Sequence, residues 1–189
     1  LHCELGHFLL LRVKVASNTQ TNDVMNSSKL LNEQLNAIVF MRFLIGWHFL
    51  YEGALKLFNP SWTAKGFILS SQGPFENLFT WMAAENVLPV IDFLNMAGLL
   101  AIGLGLILGY LERPAALFGV LLLSFYYLSH PPFSDLTQIG TEGNYWIVNK
   151  NLIEAAALVV IYKIPTAQYF GLKSLLKKSS PTKNLQSHG

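Results

Sequence analysis

Apolar residues run almost without interruption from Ala37 to Phe58, from about Val90 to Tyr110, from Ala115 to Leu128, and from about Trp146 to Ile164. Roughly 20 apolar residues cross the hydrocarbon core of a bilayer as a helix. The third run is short, but Leu111 to His130 reaches a spanning length if Glu112 and Arg113 sit at the interface. The second and third runs are joined by a tight turn around Glu112-Arg113-Pro114, which fits an antiparallel helical hairpin. The pattern predicts an all-α integral membrane protein, an antiparallel four-helix bundle over residues 37–164. Between the first two spans, Gly73-Pro74 breaks the chain, and Phe75, Leu78, Phe79, Trp81 and Met82 then recur at near-helical spacing. These residues predict a short amphipathic helix over 75–86 on the outer interface; an aromatic belt anchoring the loop is the alternative. The last loop, His130 to Tyr145, is rich in Gly, Thr, Asp and Asn and cannot itself span.

The flanks differ in character. Residues 25–36 form a polar cytoplasmic lead, and residues 165–189 a basic cytoplasmic tail. Tyr169 to Lys178 mixes apolar and basic residues as an interfacial helix would. Residues 1–24 hold an apolar patch, Phe8 to Leu11, too short for a span or a signal core. Met25 reads as the natural start, and residues 1–24 as upstream or appended sequence. Orientation follows the lysine and arginine bias. Lys163, Lys173, Lys177, Lys178 and Lys183 occupy the tail without an acid, and an even number of spans places Lys29 and Arg113 on that side. Both termini are therefore expected to be cytoplasmic.

Polar residues inside these runs change the picture from membrane filler to site. Arg42, His48, Glu52 and Lys56 all fall within the 22-residue first run. At about 100° per residue they share an arc of about 120°. Ionisable groups at bilayer depth are costly unless they face a partner or a wet cavity. With helix 1 running outward, Glu52 and Lys56 lie in its outer half and His48 near the middle. Helix 2 puts Asp92 and Asn95 near the same end, and helix 4 begins there with Asn149, Asn151 and Glu154. The expectation is an outward-opening polar pocket with His48, Glu52 and Glu154 as the groups for proton chemistry. Arg42, Lys56, Asp92, Asn95 and Asn151 are the binding candidates. Burial raises a carboxylate's proton affinity and makes it a competent acid or base beside an imidazole. Simpler readings stand beside these. Glu52 and Glu154 could pair with Lys56 and Lys150 at i,i+4, Arg42 could clamp helices or snorkel, and the asparagines could be interhelical glue. His130 could simply cap helix 3.

Composition supports the membrane reading and narrows the chemistry. Of 189 residues, 13% are charged and 52% hydrophobic, against roughly 25% charged in soluble domains. A net charge of +2, unclustered, gives no footprint for nucleic acid. The single cysteine, Cys3, excludes an internal disulfide, iron–sulfur ligation and a CxxC pair. His48 and His130 differ in depth by roughly 9 Å, which argues against haem. A dinuclear metal wants Glu-x-x-His pairs on two helices, whereas the spans offer His48-x-x-x-Glu52 once and helix 4 has no histidine. Gly103, Gly105 and Gly109 read as membrane-helix packing, with Gly105-x-x-x-Gly109 as the close-packing face. Gly46 and Gly53 are expected to do the same on helix 1.

The pattern Arg42-x-x-x-Gly46-x-x-Phe49-x-x-x-Gly53-x-x-Lys56-Leu57 resembles the first helix of the DoxX family of small four-helix membrane proteins. Residues 103–117, GLGLILGYLERPAAL, are similar to its second helix. The resemblance covers roughly residues 37–164. It implies a bacterial inner-membrane protein, and by matched position it makes Arg42 and Lys56 important. Its associations are subunits of thiosulfate:quinone oxidoreductases and membrane components of oxidative-stress complexes. The chain departs from the family in its long outer loops and in Asn149-Lys150-Asn151-x-x-Glu154.

Two functions follow. One is a quinone-linked oxidoreductase component of the thiosulfate:quinone type, with quinone as the cofactor, electrons carried by a partner redox subunit, and an oxyanion drawn to Lys56 and Lys150. The other is a non-catalytic anchor or assembly subunit for redox or stress-response enzymes, binding a lipid-like ligand. Proton-coupled transport ranks last, since four spans would suffice only as a homo-oligomer.

Overall fold

Helix makes up most of the architecture. The computed structural model describes the backbone of residues 2–71, 74–131, 144–172 and 174, with side chains described for 29–71, 74–131, 146–172 and 174. Residues 132–143 of the second predicted outer loop and half of the predicted tail helix, 169–178, lie outside the described residues. The chain clusters into two units, Leu1–Ile38 and Val39–Gly189. The first is helical backbone. The second carries the remaining elements and all of the features below.

The elements are α1 (His2–Leu57), α2 (Lys65–Leu69), α3 (Glu76–Met82), α4 (Leu88–Leu108), α5 (Glu112–Ser129), a two-stranded hairpin β1 (Asn144–Tyr145) and β2 (Val148–Asn149), and α6 (Lys150–Lys163). Two described segments are long and apolar enough to cross a bilayer, Lys29–Leu57 and Leu88–Leu108, and less than a third of either is buried. A core helix of a soluble protein would be mostly covered. Large apolar side chains stand exposed on α5 and α6 as well, among them Phe118, Leu121, Phe125, Ile153 and Val159.

α5 fills the expected Leu111–His130 span to within a residue at each end, whereas α6 is shorter than the sequence pattern implied. α6 starts at Lys150 rather than Trp146, because residues 144–149 close a hairpin whose turn places Trp146 at φ 62°. The Asn149 carboxamide then accepts from Leu152 N at 3.1 Å and caps α6. The fourteen residues of α6 extend about 21 Å at 1.5 Å per residue. The α4–α5 connection also shifts: α4 ends at Gly109, left-handed at φ 64°, and Glu112 already lies in the first turn of α5.

Glycines bring α1 and α4 together, though not by the face expected. A Cβ on Gly103 would lie 2.6 Å from Leu50 N and 2.8 Å from the Gly46 carbonyl. Gly46 and Gly53 meet Ile107 and Leu100 of α4 in the same way. Gly105 instead faces Ala115, and Gly109 is the helix cap beside the Arg42 guanidinium, so Gly105-x-x-x-Gly109 is not a single seam. Across the bundle, Gly119 of α5 approaches Leu158 of α6. Between these contacts lies an apolar core that includes Phe49, Leu99, Ile102, Leu106, Leu123 and Leu158.

The connection between α1 and α4, expected to carry one helix over 75–86, holds two short helices. α2 and α3 enclose their own cluster of Ala64, Ile68, Phe79 and Ala83, backed by Trp62, Met82, Leu88 and Ile91. Phe79 turns inward while Phe75, Leu78 and Trp81 stay exposed, so α3 is apolar on both sides.

Candidate functional site

α1 supplies one wall of a pocket of about 300 Å³. The 100° helical step puts His48, Glu52 and Lys56 on it together, and Phe49 floors it. Asn95 and Leu99 enter from α4, Leu123 and Tyr126 from α5, Lys150 and Asn151 from the start of α6. Trp62, Thr63 and Phe67 line it from the α1–α4 connection. Polar groups from four separate helices therefore do meet at one end of the bundle, as their depths implied.

Within the pocket, Lys56 Nζ donates to Glu52 Oε2 at 3.4 Å and lies 5.4 Å from the centre of the Trp62 ring. The i,i+4 partner expected for Glu52 is thus the one it has. Asn95 Nδ2 donates to the Tyr126 hydroxyl at 2.7 Å, while Asn95 Oδ1 is buried without a hydrogen-bond partner. Tyr126 packs edge-on against Phe67 at 5.6 Å.

Glu154 does not pair with Lys150. His48 Nδ1 donates to Glu154 Oε1 at 2.8 Å, tying α1 to α6. Glu154 itself lines a groove on the other side of His48, with Met41, Ile45, Ile153 and Ala157. It acts on the pocket only through the imidazole. Helix periodicity gave Glu154 a depth; the neighbouring helix decided its partner.

Two binding candidates are placed elsewhere. Asp92 Oδ1 accepts from Ala64 N at 2.8 Å and pins the start of α2, so this residue secures the α1–α4 connection. Arg42 sits about 15 Å down α1 from Glu52. It is 4% exposed and donates from Nη1 to Thr166 Oγ1 and from Nη2 to the Phe170 carbonyl, each at 2.8 Å. Its Nη1 is also 3.5 Å from Glu112 Oε2. Glu112, expected at the interface, is 2% exposed and accepts from Thr166 N, Thr166 Oγ1 and Ala167 N. Arg42 is the interhelical clamp that was its simpler reading.

Sequence reasoning missed Glu112, Thr166 and Tyr126. A buried arginine must find a carboxylate, and Glu112 was the acid nearest its depth across the α4–α5 turn. Tyr126 carried a signal too: a hydroxyl inside an apolar run, at the same depth as Asn95. His130 caps α5 as anticipated; its backbone N–H bonds Tyr126 O, and its ring meets Ser70 Oγ at 3.0 Å and Phe67 at 4.4 Å. Among the described residues no cluster of His, Cys, Asp and Glu has metal-binding geometry.

Apolar helices that leave most of their surface uncovered, with polar groups gathered inside, define a helical membrane protein. The matching family model is DoxX, over residues 37–131. That is half of the chain, and the chain belongs to the DoxX family. No curated protein and no solved structure matches it.

Proposed function

We propose that this chain is a four-span inner-membrane bundle with both termini cytoplasmic, and that its outer pocket binds the ring of a lipophilic quinone as part of an oxidoreductase. The observation that carries the reading is the meeting of His48, Glu52 and Lys56 with Asn95, Tyr126 and Lys150 around one aromatic-walled space. A quinone ring needs donors at its two oxygens and apolar groups against its faces. Lys56, Tyr126 and the Asn95 amide are such donors; Phe67 and Trp62 are such walls. The unpartnered Asn95 Oδ1 accepts the hydroxyl that the reduced ring carries. The pocket volume of about 300 Å³ sits at the small end of ligand sites, about 300–1,000 Å³.

Bound there, the quinone supplies the two-electron chemistry that no side chain of this protein offers; electrons come from a partner redox subunit. The chain's own contribution is protons and position. His48, held on Glu154 by Nδ1, borders the pocket and is arranged to hold or release a proton. Reduction of the ring takes up two protons, and Glu52 is the second group placed to pass one on, while Lys56 and Lys150 favour an anionic co-substrate such as a sulfur oxyanion.

The test is titration of detergent-purified protein with decyl-substituted 1,4-benzoquinone, read by tryptophan fluorescence. Saturable quenching that is reduced in Trp62→Phe and weakened in His48→Gln is expected. Quenching that never saturates, or that is indifferent to Trp62, defeats the proposal. A second reading, a non-catalytic anchor, draws on the fact that Glu52 and Glu154 are already paired. In that case Glu52→Gln and Glu154→Gln lower assembly and leave no binding to lose.

A further inference from the structure

Beside the polar pocket lies a second recess of about 210 Å³, lined by Phe79, Met82, Ile91, Leu94, Leu122 and Phe125 among others. It shares Ala64, Phe67, Asn95 and Tyr126 with the first. One thin partition therefore separates a polar chamber from an apolar one. The partition is the edge-on pair of Phe67 and Tyr126 together with the Asn95–Tyr126 hydrogen bond. On its far side the apolar recess reaches the outer surface of α4 and α5, where Leu94 and Phe125 are exposed.

Chemistry differs across that partition in a way that matches one kind of molecule. The first chamber offers charged groups, a hydroxyl and amides. The second, apart from the shared Asn95 and Tyr126, is aliphatic and aromatic. Asn95 stands at the junction with one half of its amide satisfied and its buried Oδ1 open to a donor. Buried polar atoms are seldom left so. A ligand whose polar ring occupies the first chamber and whose hydrocarbon chain leaves through the second would satisfy both.

Resting on the ring-site reading above, we propose that the apolar recess between α4, α5 and the α2–α3 cap is the passage for the hydrocarbon tail of a membrane-dissolved quinone. The ligand enters sideways from the lipid, and Phe67 and Tyr126 part to let the ring through. The groove between α1 and α6, lined by Leu44, Ile45 and Ile153, is the rival route. It touches the pocket only through His48 and Lys150, with no shared wall of aromatic rings.

Two quinones test this on purified protein: 2-methyl-1,4-benzoquinone and its decyl-substituted relative. The tailed ring is expected to bind more tightly by at least about tenfold, the gain from burying roughly two methylenes. Leu122→Trp, which fills the recess, is expected to erase that gain and to slow the entry of either ring, while the equilibrium affinity of the tailless ring stays unchanged. A decyl probe carrying a diazirine at its tail end, used on the unaltered protein, is expected to label residues 91–94 and 122–125. This arm needs no variant to fold. If the tailless ring binds as well as the tailed one, or the label falls on α1 and α6, the tail passage is wrong while the ring site stands. Labelling of α4 and α5 that excess phospholipid abolishes and excess tailed quinone does not would give the recess to an acyl chain, and also overturns the proposal. If neither quinone binds, both readings fall.

Discussion

Glu112→Gln isolates the clamp at the end of the helices away from the pocket. The Glu112 carboxylate is 2% exposed, and its Oε1 accepts from Thr166 N at 3.0 Å and Thr166 Oγ1 at 2.9 Å. Oε2 accepts from Ala167 N at 2.6 Å and faces Arg42 Nη1 at 3.5 Å. A glutamine keeps the shape but replaces one oxygen with an NH₂ group. On the Oε2 side that puts donor against donor, and Arg42 is left charged, buried and without its counter-charge. Removing one partner of a buried pair costs about 3–5 kcal/mol. For a chain of this length each kcal/mol is worth about 2–4 °C, so the melting temperature should fall by about 6–20 °C. The assay is thermal unfolding in detergent followed by size-exclusion retention, on Glu112→Gln, Arg42→Met and the double variant. Because the double variant leaves no unmatched charge, it should recover part of the loss and give a clear coupling energy. Additive losses, or a fall under about 2 °C for either single change, would show that the pair does not hold the bundle together.

Other outcomes follow from the same geometry. Gly103→Ala drives a methyl into the α1 backbone at Leu50 and Gly46, and should destabilise by about 1–3 kcal/mol; a melt equal to wild type would mean the helices part freely there. Asp92→Ala strips the acceptor from Ala64 N at a loss of about 1 kcal/mol, and limited proteolysis should then cut the 59–87 loop first. Trp146, 74% exposed and at φ 62°, is strained for a bulky residue, so Trp146→Gly should raise stability in detergent by about 0.5–1 kcal/mol; a lower melting temperature would show that the ring anchors the hairpin. The proposed four-span topology with cytoplasmic termini predicts that single cysteines at positions 63 and 146, in a Cys3→Ser background, react with an impermeant maleimide from the outside, and that one at 110 does not.

The linear pattern alone set the number and order of the long helices, the polar face of α1, and the α1 glycines, Gly46 and Gly53, that lie against α4. It also set the depth of the polar groups, because a helix of known rise converts sequence position into height. Height was enough to foresee a pocket containing His48, Glu52, Lys56, Asn95 and Asn151. Partners were decided by the fold. Periodicity does not say which face of a neighbouring helix turns toward a given side chain, so Glu154 went to His48 rather than Lys150, and Asp92 to the backbone of Ala64. Arg42 found Glu112 because Gly109, ending α4 left-handed, brings the start of α5 beside the guanidinium. Turns were the other gap: the hairpin at 144–149 removes residues from α6 through cross-strand pairing that an apolar count does not register. Two chambers divided by Phe67, Asn95 and Tyr126 exist only once three separate elements have packed.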